Sequence, residues 1–257
     1  MDYRVLEHVR DFEEAFALEV AVWGLDPRDA VPVNMLRALQ HAGGALIGAY
    51  NNDQIVGITL GFPAKSADRW ILWSHMTGVL SPYQGQNIGF ELKRQQRDWA
   101  LANGFDEIRW TFDPLQRGNA NFNVHRLGAT AENYLVDFYG TMADEINHAD
   151  VPSDRVEGVW RLPDPRVVQL MLPTSPEEPT PNRPFLLIDH GLPKAIALDE
   201  SVPEYLVQIP RSLTHLPSSD ALLTWRLTLR ETLISAFAHG YIAVDFTGAN
   251  AYLLRKL

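Results

Sequence analysis

Cysteine is absent from the 257 residues. That excludes disulfides, thiolate metal sites and any cysteine nucleophile, and it fits a reducing cytoplasm, the compartment expected here. Positive charge is scarce: 22 Lys and Arg stand against 32 Asp and Glu, a net charge of −10. A chain of that sign is a poor nonspecific binder of nucleic acid or of an anionic membrane, although a local basic pocket is compatible with it. Long apolar runs are missing as well. Those present are short and broken by charge or glycine, so no membrane span is expected. Met1 to Arg10 carry charges and lack the apolar centre of a signal peptide. What the chain does have is material for a large core, with 46% hydrophobic and 21% charged residues, a balance that argues against global disorder. Its length exceeds one domain of about 100 to 200 residues without requiring two.

Val9, Phe12, Phe16, Val20 and Trp23 recur at helical steps and predict one amphipathic helix, ended by Gly24 and Pro27. A short helix is expected from Pro32 to His41, with Pro32 in its first turn. Ala45–Tyr50 and Gln54–Phe62 read as strands joined by Asn51-Asn52-Asp53, good turn residues. Trp70–Leu80 reads as a strand, Ser81–Asn87 as a loop, and Ile88–Asn103 as a helix with Ile88, Leu92, Gln96 and Trp99 in line and Gly104 at its end. A buried strand at Glu107–Phe112, a short helix near Ala120–Arg126 and a strand near Glu132–Tyr139 complete this half of the chain.

From Pro173 to Pro184 five of twelve residues are proline, which reads as a semi-rigid linker. Beyond it, Phe185–Asp189, Lys194–Leu198 and Glu204–Ile209 resemble strands. A long helix is expected over Asp220–His239, with Asp220 as N-cap and Gly240 at its end, then strands at Tyr241–Thr247 and Ala251–Leu254.

The segment that carries chemistry runs from Thr77 to Gly89. It is a strand, a tight polar loop and the start of a helix, and it places backbone N–H groups at a helix N-terminus, which attracts phosphate oxygens. Gly85 and Gly89 allow the backbone to approach a bulky diphosphate, and Asn87 adopts a left-handed conformation more readily than most residues. Two glycines before a helix also fit an ordinary strand–helix connection. No His-Glu-x-x-His pattern, P-loop or Gly-x-Ser-x-Gly elbow is present, and the eight histidines show no metal-ligand spacing, so no metal is expected.

The order of two helices, hairpin, strand, loop, amphipathic helix and strand resembles the GNAT family of acyl-CoA-dependent N-acyltransferases. Its pyrophosphate loop has the form Gln/Arg-x-x-Gly-x-Gly/Ala. Gln84 to Gly89 match the first and last positions, with Asn87 where the middle glycine stands. Val79-Leu80 match the strand end that pairs with the pantetheine arm. Asn119-Ala120 and Leu127-Gly128-Ala129 resemble the later Asn-rich helix and Leu-Gly turn. The resemblance covers roughly Met1 to Trp160. It implies an α/β (α+β) fold with a mixed central sheet flanked by helices.

The resemblance also implies the chemistry. A neutral primary amine attacks the thioester of acetyl-CoA or another acyl-CoA, succinyl-CoA included, with no covalent enzyme intermediate. Val79, Leu80, Gln84, Gly85, Gln86, Asn87, Ile88 and Gly89, with Asn119 and Asn123, are the expected coenzyme contacts. The Leu80 N–H is the positional candidate for an oxyanion donor. For the base, His75 lies on the central strand, where alternation would put it on one face with Thr77 and Val79; it also reads as a core or edge histidine. Asp113, at a strand's C-terminal end, is a second candidate and equally a turn-capping residue before Pro114. The Asn119, Asn121, Asn123 cluster beside Arg117 and His125 reads as binding either the coenzyme or an acceptor carboxylate, and equally as turn and cap formation, the reading preferred for Asn121; a small amine or amino acid is the expected partner. The family's tyrosine acid falls at Val124 here, leaving His125, Tyr134 and Tyr139 as substitutes by proximity. Arg94 and Arg97 read as a solvated helix face rather than phosphate ligands. A noncatalytic acyl-CoA-binding module is the alternative, and a homodimer is expected from base rates.

Ala102-Asn103-Gly104-Phe105 and Ala238-His239-Gly240-Tyr241 end two long helices, and Trp110-Thr111 and Phe246-Thr247 come after them at equal spacing. A partial second copy of the fold is inferred, without the glycine loop. Its expected role is to cover a sheet edge or wall an acceptor pocket. The expected organisation is an N-acyltransferase domain over 1–172, a linker over 173–184 and the half-copy over 185–257.

Overall fold

The computed structural model describes residues 1–140, 151–172 and 181–257. Of the expected linker, 173–180 lie outside the described residues. The chain divides into two compact units, one ending at Trp110 and the other beginning at Thr111.

The first unit holds β1 (Asp2–Val5), α1 (Val9–Trp23), α2 (Val33–His41), β2 (Ala45–Asn51), β3 (Gln54–Ser66), β4 (Arg69–Val79), a 3₁₀ turn at Ser81–Tyr83, α3 (Ile88–Ala102) and most of β5 (Glu107–Phe112). Its sheet runs β1-β2-β3-β4-β5, antiparallel except for β4 and β5, which are parallel and joined through α3. Strand side chains alternate between faces, and both faces are covered. Leu46, Tyr50, Ile58 and Leu60 pack with Phe12, Ala15, Leu18 and Leu36 from α1 and α2. Ala45, Ile47, Ala49 and Val56 pack with Ile88 and Leu92 from α3. The buried stripe of α1 is Phe12, Ala15, Leu18 and Glu19, one step round the helix from the expected line, and Val9 is 62% exposed. Gly78 is required by close packing: a Cβ there would lie 2.6 Å from the Trp23 ring.

One irregularity in β4 matters for the site. Met76 pairs with Leu60 but Ser74 pairs with Gly61, so His75 is an extra residue bulged out of the ladder. A bulge of this kind re-aims side chains. Beyond it, Thr77 lies opposite Thr59, with their hydroxyls 2.8 Å apart. His75 is therefore turned to the face of Phe62, whose ring centroid is 6.2 Å from its own. It does not share a face with Thr77 and Val79 as unbroken alternation would require.

The second unit continues with α4 (Arg117–Ala120), a π-helical turn at Asn121–Arg126, β6 (Thr130–Leu135), β7 (Arg155–Arg161), α5 (Pro165–Leu170), β8 (Phe185–Asp189), β9 (Pro193–Ala195), β10 (Glu204–Gln208), α6 (Ser219–Ala238), β11 (Tyr241–Thr247) and β12 (Ala251–Lys256). Its strands run β7-β6-β11-β12-β10-β8-β9. β11 lies beside β6 through Ala243 and Ala131, so the C-terminal segment covers that edge. α6 starts one residue earlier than expected. Ser218, in extended conformation, accepts the Ala221 N–H at 3.2 Å and is the N-cap in place of Asp220. The two long helices end alike: Asn103 (φ −103°, ψ 14°) and His239 (φ −98°, ψ 17°) precede Gly104 and Gly240, both at φ 82°. The strands on either side of them pair differently. β4 and β5 pair directly, whereas β12 lies between β10 and β11.

Candidate functional site

The loop after β4 has the geometry its sequence calls for. Gly85 (φ 75°) and Asn87 (φ 65°, ψ 8°) both take left-handed conformations. They turn the chain so that Asn87 directly precedes α3, and the Asn87 carbonyl accepts the Glu91 N–H at 3.0 Å. The first N–H groups of a helix, beginning here with Ile88 and Gly89, have no intrahelical acceptor and face outward from its positive end. A Cβ on Gly85 would meet nothing within 4 Å, so the space beside it is open. The loop braces itself: Gln84 Nε2 donates to the Val79 carbonyl at 2.9 Å and Gln86 Nε2 to that of Pro82 at 3.2 Å. Gln84, Gly85, Gln86 and Asn87 are exposed, whereas Ile88 anchors the helix in the core. Glu91 in the first turn is neutralised by Arg94, which also pairs with Asp98 at 3.1 Å; Arg97 lies 3.5 Å from Asp98. These arginines are held in ion pairs along the helix.

Upstream, β4 and β5 register only through Leu72↔Ile108 and Trp73↔Arg109. Past Trp73 the β4 edge away from β3 has no ladder partner among the described residues, a fork that begins one residue before the bulge. His75 is exposed at its edge, yet desolvation lowers its pKa. The ring is thus a neutral proton acceptor near pH 7. The Leu80 N–H, the expected oxyanion donor, donates to the Val56 carbonyl at 2.9 Å and is already used there.

Lys93 belongs to no motif, and its sequence neighbours do not single it out. It stands on the buried stripe of α3 with Ile88, Leu92, Gln96 and Ala100 and is 3% exposed. Helical spacing contains the signal, because 88, 92, 93, 96 and 100 share one face. Burial lowers its pKa to about 7.

The remaining candidates are in the second unit. Asp113 is buried, with both oxygens bonded by Arg226 and a further bond from the Leu115 N–H at 2.9 Å. That arrangement occupies the lone pairs a base would use. Arg117 and Asn119 are exposed on α4, whereas Asn123 is 7% exposed and its carbonyl accepts the Ala129 N–H at 3.0 Å. Val124, at the place of the family's tyrosine, is wholly buried. His125 Nδ1 lies 3.0 Å from Asp245 Oδ1, which also pairs with Arg166 at 2.9 Å. Tyr134 donates to Asp154 at 2.7 Å; desolvation and that carboxylate raise its pKa, so it is a poor proton donor. The Tyr139 hydroxyl is 3.0 Å from that of Thr111. Among the described residues no group of three His, Asp or Glu could hold a metal ion, and no helix is long and apolar enough to cross a membrane.

Residues 7–128 match the acetyltransferase (GNAT) family. No curated protein matches the chain. Among solved structures, the ribosomal-protein-S18-alanine N-acetyltransferase from Escherichia coli is similar over 63% of this chain and 93% of its own, at 13% identity and a TM-score of 0.50. An aminoglycoside 6′-acetyltransferase type Ii is similar over 63% of this chain and 97% of its own, at 15% identity and a TM-score of 0.50. A chain of the NatC complex bound to Gag peptide and CoA is similar over 62% and 97%, at 15% identity and a TM-score of 0.49. For the first two, at such identities, the likeness is one of fold.

Proposed function

This chain carries a GNAT acetyltransferase domain, matched over residues 7–128, and from that premise we propose that it is an acyl-CoA-dependent N-acyltransferase of a small primary amine. The observation that carries the reading is the turn of Gly85 and Asn87 into the N-terminus of α3, an anion site with open space beside it. The N–H groups of Ile88 and Gly89 hold the diphosphate. From Ser74 to Val79 the β4 edge away from β3, which has no ladder partner among the described residues, offers backbone groups to the pantetheine arm.

The thioester supplies an electrophilic carbonyl, and the chain's residues do the rest. His75, neutral near pH 7, takes the proton of the attacking amine, directly or through one water. With the Leu80 N–H engaged by Val56, the carbonyl oxygen is met by other N–H groups of the β4 edge, or by Leu80 once that bond opens. Arg117, exposed on α4, is assigned to hold an acceptor carboxylate. Residues 185–257 are assigned as a partial copy of the fold, supported by the matched helix endings and qualified by the inserted β12.

Free-CoA release with acetyl- and succinyl-CoA across a panel of amines and amino acids tests this function. Turnover of at least one pair supports it. Binding of acyl-CoA without turnover across the panel favours a noncatalytic module, a reading to which the buried Val124 at the usual acid position lends weight. No binding at all removes the site assignment under both readings.

A further inference from the structure

Lys93 is a lysine where the helix pattern asks for an apolar residue, and its contacts share one address. Nζ donates to Ser74 Oγ at 2.9 Å and to Gln96 Oε1 at 2.9 Å. It also lies 4.0 Å from the centre of the Trp110 ring. The last registered pair of β4 and β5 is Trp73↔Arg109. Ser74 is the next residue of β4, and Trp110 is the next of β5. Lys93 therefore stands in the crotch of the fork, hydrogen-bonded to Ser74 on one prong and packed over the Trp110 ring on the other. Ser74 is also the residue directly before the bulged His75.

We infer that Lys93 is a positioning residue for acyl transfer, fixing the β4–β5 fork through Ser74 and Trp110 and, with it, the bulge that presents His75. The inference rests on the N-acyltransferase reading above. A residue selected for packing alone would be Leu or Met, because burying an amine penalises its charge. What the amine adds is direction: its N–H groups donate to Ser74 and Gln96 whether or not it carries a proton, and when protonated it is also attracted to the Trp110 face, a pull that fades beyond about 6 Å. Two strands held by such contacts cannot slide or close without breaking one of them. The groups that face Nζ include Ser74 from β4, Trp110 from β5 and Gln96 from α3 itself. Glu107 and Arg109, which bond each other at 2.6 Å, alternate with Trp110 and project from the other face of β5. One turn along α3, Arg97 pairs with Asp98.

The test compares wild type with Lys93→Met, which keeps length and bulk and removes donors and charge, and with Lys93→Arg, which restores both. Two readouts are followed: the His75 imidazole resonances through a pH titration, and kcat and KM with acyl-CoA. The expected result for Lys93→Met is a displaced His75 titration midpoint, a kcat lower by at least about tenfold, and a KM for acyl-CoA within about twofold, because a small misplacement near reacting atoms is felt in the rate. Lys93→Arg recovers part of the loss. An unmoved His75 titration together with an unchanged kcat overturns the inference, whatever the change in melting temperature. Should Lys93→Met fail to fold, Ser74→Ala removes the same link and is read in the same way. Should the wild type turn over no amine, the N-acyltransferase reading fails, while the imidazole titration still decides whether Lys93 positions His75.

Discussion

Asp113 and Arg226 form a buried, two-pronged ion pair, with Nη1 2.6 Å from Oδ1 and Nη2 2.8 Å from Oδ2, and with side chains 9% and 5% exposed. One turn along α6, Arg230 grips Asp154 in the same fashion at 2.8 Å and 2.8 Å. Tyr252, on the last strand, donates to the Pro114 carbonyl at 2.8 Å. These bonds tie the C-terminal residues to the segment after β5, within the compact unit that begins at Thr111.

Removing one partner of a buried pair leaves an uncompensated charge. Arg226→Met is expected to lower the stability of the fold by about 3–5 kcal/mol, whereas Asp113→Asn with Arg226→Met together costs less than the sum of the two single changes. Urea unfolding followed by tryptophan fluorescence measures both. A loss below about 1 kcal/mol for Arg226→Met would show that the pair contributes little.

Gly85→Glu places a carboxylate beside the open end of α3. Weakening of CoA binding by at least about tenfold is expected from charge and bulk, measured by calorimetry. Gly85→Ala is the control. It adds a methyl group to open space, so its effect should be mainly about 1 kcal/mol of backbone strain at φ 75°. Equal affinities for the wild type and Gly85→Glu would move the diphosphate elsewhere.

For His75, desolvation lowers the pKa below the ordinary 6.5 although the side chain is exposed at its edge. A base must be neutral to accept a proton, so kcat/KM should rise with pH through a midpoint below 6.5 and then level off. His75→Gln should remove that acid limb and reduce kcat by about a hundredfold. If the limb persists in His75→Gln, another group is the base.

Lys93 makes stability depend on pH in a definite direction. The amine titrates near 10.5 in the unfolded chain and near 7 in the folded one. Between those values the unfolded state holds more protons, so raising the pH stabilises the fold; below pH 7 both forms are protonated and the penalty is constant. Relative to Lys93→Met, the folding constant of the wild type should rise by up to about tenfold per pH unit across that window. Parallel stability curves for the two proteins would show that Lys93 stays charged when folded.

Local patterns in the sequence revealed a good part of this fold. Ile88, Leu92 and Gln96 recur at helical steps and fall on the buried face of α3, and the left-handed Asn87 is where its side chain makes that conformation least costly. β1, β7 and α5 were not legible: β1 and α5 are short, and β7 mixes Arg155, Glu157, Gly158 and Arg161 among its apolar residues, which blurs a strand pattern. The His75 bulge was hidden for another reason. It is a mismatch in register between β3 and β4, and nothing within β4 alone records how many residues of β3 lie opposite.

The sequence by itself determined the chemistry that is excluded, the glycine loop running into α3 and the succession of elements that resembles an N-acyltransferase, because each depends on residue type or on neighbours a few positions apart. Tertiary structure alone decided which face His75 uses, that Lys93 is buried at the fork, and that Asp113 is bound by Arg226, a partner 113 residues away. Those outcomes turn on strand register and on which side chains share a desolvated space, and both are set only when distant segments pack.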